Sequence, residues 1–242
     1  MIRKIFFFAL LVASPAAAQT NLSSQPYWKL MEGWWRAENT YMDGELNYNI
    51  RSYNALIHVE LIGRTYRETE YKFYAPSKLA QQMGRGQVGP DEGIETVSVF
   101  SGELIDDKGT VKLTGSQPAG PGDEGTVIQV LSPDTGVRVT TNPKTKLDTY
   151  RMYIVAPTPD KRYRSNFGLV SDTQGSGAAN ALPDAKMGDL RGFSLFREDR
   201  IAATEFDKWR DEFRTRNKVA VIVEPGADGK PVVRRLKSTP SQ

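Results

Sequence analysis

The chain has 242 residues, with 32 Lys and Arg against 29 Asp and Glu, one His and no Cys. Without cysteine there is no disulfide framework, iron–sulfur cluster or thiol nucleophile. A zinc site built from His and Cys needs several such ligands, and a Ser-His-Asp or Cys-His triad would have to run through His58.

At the N-terminus, Arg3 and Lys4 precede the apolar run Ile5 to Ala13, which is too short to span a bilayer. Ser14-Pro15 breaks the run, and Ala16-Ala17-Ala18 places small residues before Gln19. This is the pattern of a signal peptide with an A-x-A cleavage site. The expected organisation is a signal peptide at 1–18 and a single domain at 19–242, loose from about 237, in a periplasmic or secreted protein. Removing Arg3 and Lys4 leaves 30 basic against 29 acidic side chains, a net charge of +1. A near-neutral domain has no polybasic footprint for nucleic acid. No second apolar run is long enough for stable membrane insertion.

Ser24 to Met31 reads as a short helix with Pro26 in its first turn. Trp34 to Met42 reads as a strand. Ala55, Ile57, Val59 and Leu61 then form one apolar face at period two, with His58 and Glu60 on the other face. Ile62-Gly63 turns the chain into a partner strand ending at Tyr74. Ser77 to Met83 is a second short helix stopped by Gly84. Further strands are expected at 96–104, 110–113, 126–131, 137–141, 147–155, 163–170, 192–201, 219–224 and 232–236, with turn chemistry between several of them. Thr204 to Asn217 is the strongest helix, with Phe206, Trp209 and Phe213 on one face. Gly- and Pro-rich stretches at 84–93, 115–125 and 171–185 read as long loops at the mouth of one domain. Short strands at regular spacing argue for a barrel or sandwich.

The order of these pieces resembles a lipocalin, or more broadly a calycin-type barrel. Gly33-Trp34-Trp35 after a short helix is similar to that family's G-x-W. Asp148-Thr149-Tyr150 is similar to its T-D-Y motif with the first two residues exchanged, and Arg197 or Arg200 stands where the family places an Arg over the Trp. The resemblance implies an all-β fold: a single antiparallel lipocalin-like β-barrel with a short N-terminal helix and one C-terminal amphipathic helix. A closed barrel leaves no strand edges exposed, and eight strands enclose room for one small molecule.

Candidate chemistry concentrates between Asn54 and Tyr74. His58 and Glu60 share one strand face, and Tyr66, Glu68 and Glu70 share a face on the next strand, of which His58, Glu60, Tyr66 and Glu68 are the catalytic candidates. Together they would make a metal-free acid–base set. The alternative is that the face of Ala55 and Ile57 is the buried one, which turns His58 toward solvent or a covering helix. Tyr53, Tyr71, Tyr150 and Tyr153 are candidate ligand-stacking residues, since Tyr lines a cavity and still offers a hydrogen bond. Arg162 and Arg164, in the Pro-flanked segment 157–166, are candidates for an acidic head group at the mouth, or else part of a solvated loop. Glu198-Asp199 between Arg197 and Arg200 reads as a surface or strand-end ion network.

The functional expectation is an exported barrel that binds a small apolar or aromatic molecule, with or without an acidic head group. It would perform cofactor-independent acid–base chemistry of lyase or isomerase type. The alternatives are a non-catalytic carrier of a small hydrophobic ligand and a haem barrel with His58 as axial ligand. The catalytic and carrier readings need no metal or cofactor. N-terminal sequencing of the protein recovered from the culture or periplasm is expected to begin at Gln19; an intact Met1 or Ile2 start would refute cleavage.

Overall fold

The computed structural model describes residues 21–43, 52–117, 125–142, 144–169, 186 and 189–236. The expected signal peptide and the tail from 237 lie outside the described residues. A 3₁₀ turn at Leu22–Ser24 leads into α1 (Pro26–Met31), with Pro26 at the start of the helix. Strands β1 (Gly33–Asp43), β2 (Tyr53–Ile62) and β3 (Thr65–Tyr74) follow, then α2 (Lys78–Met83). Next come β4 (Gly93–Leu104), β5 (Val111–Gln117), β6 (Thr126–Ser132), β7 (Thr135–Thr141), β8 (Asp148–Thr158), β9 (Lys161–Leu169) and β10 (Leu190–Ile201). The chain ends in α3 (Phe206–Arg216), β11 (Val219–Pro225) and β12 (Pro231–Arg235).

Strands β1 to β10 form an up-and-down antiparallel meander, and β10 pairs with β1 to close it. The barrel therefore has ten strands rather than eight, and barrel diameter grows with strand number. Strand β4 serves two neighbours on one side. Its Val99–Leu104 half pairs with β5, and its Gly93–Thr96 half pairs in parallel with β11, to which β12 adds antiparallel. The apolar face predicted on β2 does point inward: Ala55, Ile57 and Val59 are all buried in the main core.

One end of the barrel is sealed by α1. Trp28 donates its indole N–H to the Gly109 carbonyl at 2.9 Å, and Tyr27 lies under Gly136, where a Cβ would collide with its hydroxyl. Of the tandem tryptophans, Trp35 is the plug. It is fully buried, donates to the Met31 carbonyl at 3.0 Å, and lies between two guanidiniums, Arg162 at 4.2 Å and Arg200 at 4.3 Å. Arg200 is itself anchored by the carbonyls of Pro159, Glu32 and Leu30. The Arg over the Trp is thus Arg200, whereas Arg197 is exposed and faces Glu38. The segment 157–166 is not a mouth loop. It is the tight turn between β8 and β9 at this sealed end, followed by β9 itself.

Outside the barrel, α3 packs Phe213 on Leu56 and Phe73 of the wall. The helix is pinned by Glu95, which is fully buried on the outer face and held by Arg210 (2.5 Å) and Arg214 (2.6 Å).

Gly33 turns the chain from the plug helix into the wall at φ +104°, and a Cβ there would stand 2.7 Å from the anchored Arg200 Nη1. Gly63 is also left-handed, at φ +62°, but its Cβ would meet nothing. Gly63→Ala is expected to cost about 1 kcal/mol from strain alone. Gly33→Ala adds a collision and a less accessible backbone region, and is expected to cost about 2–3 kcal/mol. Urea unfolding midpoints check the order; equal midpoints would contradict it.

Candidate functional site

Side chains alternate in and out along each strand, and on several strands the inward set is charged. Strand β3 presents Glu68, Glu70 and Lys72 to the lumen, β9 presents Arg162 and Arg164, β10 presents Glu198 and β7 presents Arg138. Strands β3 and β9 stand on opposite sides of the ring, separated by β2, β1 and β10 on the shorter path. Arg164 bridges that gap. Its Nη2 lies 3.2 Å from Glu68, its Nη1 3.5 Å from Glu70, and its Nε 2.8 Å from Glu198. Arg162 pairs with Glu198 and also donates to the Met31 carbonyl at 3.2 Å. Arg138 reaches Glu68 at 3.5 Å, and Lys72 pairs with Glu70 at 2.6 Å.

For Glu68 and Lys72 the neighbouring charges outweigh burial and favour the charged form. Burial alone would raise the Glu68 carboxyl, but Arg164, Arg138 and Arg162, with a hydrogen bond from the Tyr66 phenol, outweigh it and hold Glu68 well below the usual carboxylate range. Burial would likewise lower Lys72, but Glu70 beside it pushes it up to about 12. Burial raises the phenols of Tyr27, Tyr53, Tyr66 and Tyr150, the last to about 12. They are neutral donors at ordinary pH.

Exposure of the inward charges rises along the lumen. Glu198 is at 0% and Arg162 at 1%, next to the plug, whereas Arg138 is at 11% and Lys72 at 19%. Beyond the ion network, toward the end opposite α1, the wall carries aromatic rings. Tyr53 meets Tyr74 at 4.9 Å and Phe196 at 6.0 Å, and Phe100 lies 4.5 Å beneath the Arg138 guanidinium. Several buried polar atoms of the lumen have no hydrogen-bond partner: both amide atoms of Asn39, Oδ1 of Asn166, Nε of Arg138 and, deeper in, Nη2 of Arg162, Nε of Arg164 and Oε1 of Glu198.

The sequence-derived residues divide between the two faces of the wall. Tyr53, Tyr66, Glu68, Tyr150, Arg162 and Arg164 belong to the inner face. His58 and Glu60 do not. The His58 ring stacks on Trp34 at 3.9 Å and 7°, outside the barrel, where Phe206 of α3 covers Trp34 at 4.7 Å. Glu60 sits beside it at 3.8 Å and also faces Arg67. The expected acid–base set is therefore split by the sheet, and His58 cannot ligate a haem in the lumen. The reason is the parity of β2, whose apolar face took the interior. Tyr71 is likewise outside, against Phe206 and under Arg210. Tyr153 lines a groove of about 360 Å³ on the outer face with Tyr163 and Leu195.

Sequence reasoning missed Lys72, Arg138 and Glu198 as lumen residues, and set Glu70 on the face of Tyr66 and Glu68 without giving it a role. Glu198, read as part of a surface network, is fully buried. The signal for it was available: it alternates with Ser194 and Phe196 on one face of β10, while Arg197 and Leu195 occupy the other.

No family model matches the chain, and no curated protein matches it. Among solved structures, it is similar to the S-type phycobiliprotein lyase CPES from Guillardia theta, at a TM-score of 0.46 and 15% identity over 76% of this chain and 95% of that one. It is also similar to a protein of unknown function from the DUF3598 family of Nostoc punctiforme, at a TM-score of 0.43 and 12% identity over 72% of this chain and 48% of that one. These likenesses carry no ligand to this chain. The barrel assignment stands on the strand pairing itself.

A carboxylate held low in the folded state stabilises the fold above its unfolded value, and that contribution is lost as the pH falls below it. Glu68→Gln leaves Arg164 and Arg138 short of a partner and is expected to lower stability by about 3–5 kcal/mol at neutral pH. The gap between wild type and Glu68→Gln should narrow below the ordinary carboxylate value of about 4.3. Urea titrations at a series of pH values test this; a gap independent of pH would refute the role of the Glu68 charge.

Proposed function

We propose that the protein is a non-catalytic carrier that holds a small, mainly aromatic molecule bearing an acidic group in the open half of its lumen. The observation that carries this reading is the exposure gradient, from the sealed Glu198 and Arg162 to the water-accessible Lys72. It describes a chamber closed by α1 and open toward the other end. Aromatic walls at that end suit a planar apolar body. The lumen charges among the described residues, four cations against three carboxylates, suit an acid on it. The N-terminal pattern supports placing this carrier outside the cytoplasm, in the periplasm or the medium.

Lyase or isomerase chemistry fits the site less well. General acid–base catalysis works best with groups that titrate near the working pH. Glu68 is held ionised far below that range, the lumen phenols are raised above it, and His58 is on the other side of the wall.

The neutral fluorophore 1-aminoanthracene is expected to bind with a blue-shifted emission and to be recovered chemically unchanged. Tyr53→Ala and Tyr150→Ala should each weaken it by roughly three- to tenfold, the range for loss of one aromatic contact. Tyr71→Ala and Tyr153→Ala, on the outer face, should leave it unchanged. Absence of binding, sensitivity to the outer pair alone, or conversion of the bound molecule would overturn the reading.

A further inference from the structure

Resting on the carrier reading, we infer that Arg138 is the anion receptor of the lumen and that it selects ligands carrying one negative charge. The argument begins with pairing. Glu70 is matched to Lys72 at 2.6 Å, Glu68 to Arg164 at 3.2 Å, and Glu198 to Arg162 in direct contact. These three matches use every lumen carboxylate among the described residues and leave one cation over. That cation is Arg138. Among the described residues its only carboxylate contact is a share of Glu68 at 3.5 Å, the loosest of that carboxylate's pairings, and its Nε proton has no acceptor there.

An incompletely paired guanidinium in a low-dielectric lumen is costly, because the attraction that should offset its lost hydration is missing. A ligand carboxylate supplies it. The guanidinium carbon lies 4.5 Å from the centre of the Phe100 ring, which supports the group from one side and leaves the Nε edge, which has no acceptor, to grip a carboxylate. Arg138 also sits at the right depth. It is more exposed than Arg162 or Arg164, at 11% against 1%, so it marks the floor of the accessible half. Arg162 and Arg164, the residues that the sequence offered for an acidic group, each lie against lumen carboxylates and are only 1% exposed, below the depth that Arg138 marks.

Charge count then sets selectivity. One negative charge brings the lumen to neutrality. A neutral ligand leaves Arg138 underpaired, and a dianion drives an unmatched carboxylate into the same low-dielectric space.

The test is competition against bound 1-aminoanthracene by naphthalene-2-carboxylate, its primary amide and naphthalene-2,6-dicarboxylate. The monoacid is expected to displace the fluorophore at least tenfold more strongly than either of the others. In Arg138→Gln the preference for the acid over the amide should vanish while 1-aminoanthracene still binds, which shows that the lumen is intact. Arg138→Lys, which keeps the charge but not the fork, should retain part of the preference. Arg197→Gln, on the outer face, should retain all of it. Equal affinities in the wild type, or a preference that survives Arg138→Gln, would overturn the assignment to Arg138 and leave the carrier standing. Failure of every aromatic probe, 1-aminoanthracene included, would remove the carrier and this inference together.

Discussion

The seven charged side chains that the described residues place inside one barrel are the constraint from which much of this structure follows. Each ion removed from water carries a desolvation penalty of several kcal/mol, offset only by close, well-oriented partners. Here the partners come from opposite walls. Arg164 on β9 reaches Glu68 and Glu70 on β3 across the lumen, and Glu198 on the adjacent β10. The network therefore does more than neutralise charge. It specifies register. A slip of one residue along β3 would turn Glu68, Glu70 and Lys72 outward, leaving Arg164 with Glu198 alone and taking from Arg138 the carboxylate it shares. An apolar interior of the same volume would tolerate such slips more readily, because one aliphatic side chain replaces another at modest cost.

The network is also continuous with the plug. Arg162 pairs with Glu198 on one side and lies against the Trp35 ring on the other, and Arg200 covers the opposite face of that ring. Trp35 thus links the sealed end to the ion pairs, and the Met31 carbonyl accepts from both Trp35 and Arg162. Gly33 is what allows Arg200 to come so close to the chain at the start of β1. The short α1, which has little helical stability of its own, is held because its buried face completes this arrangement.

The fold was largely legible in the sequence because its signals are local. Period-two alternation in Ala55 to Leu61 and turn residues between short strands mark the sheet, and the tandem tryptophans after a short helix mark the plug. The stripe of Phe206, Trp209 and Phe213 gave α3, though it packs outside the wall rather than capping an end. The site was legible only in part, because its logic is non-local. The apolar positions flanking His58 supported the alternative that it faces out, which the structure shows, and not the acid–base set that included it. Nothing near Glu198 in sequence reveals that Arg162, thirty-six positions away, is its partner. On β3, Glu68 was legible as a candidate beside Tyr66, but charged residues at period two usually mark a solvated face, so nothing local extended the site to Lys72. They are buried here because a ten-stranded ring brings complementary charges to face them.

A lumen of this kind also changes what selectivity means. In a purely apolar pocket, ligands are ranked mainly by the area they bury, and close analogues differ little. Where buried polar groups wait for partners, an analogue that lacks the right group leaves them unpaired and is rejected more strongly. Asn39 offers both a donor and an acceptor with nothing bound to either, and Asn166 offers a further acceptor. In the proposed carrier these neutral groups would read hydroxyl or carbonyl substituents, while Arg138 reads charge and the tyrosines read the planar body. Stability and recognition would then share one device. The ion pairs that fix the register of the walls also decide which cation is left over, and that remainder sets the charge of the ligand.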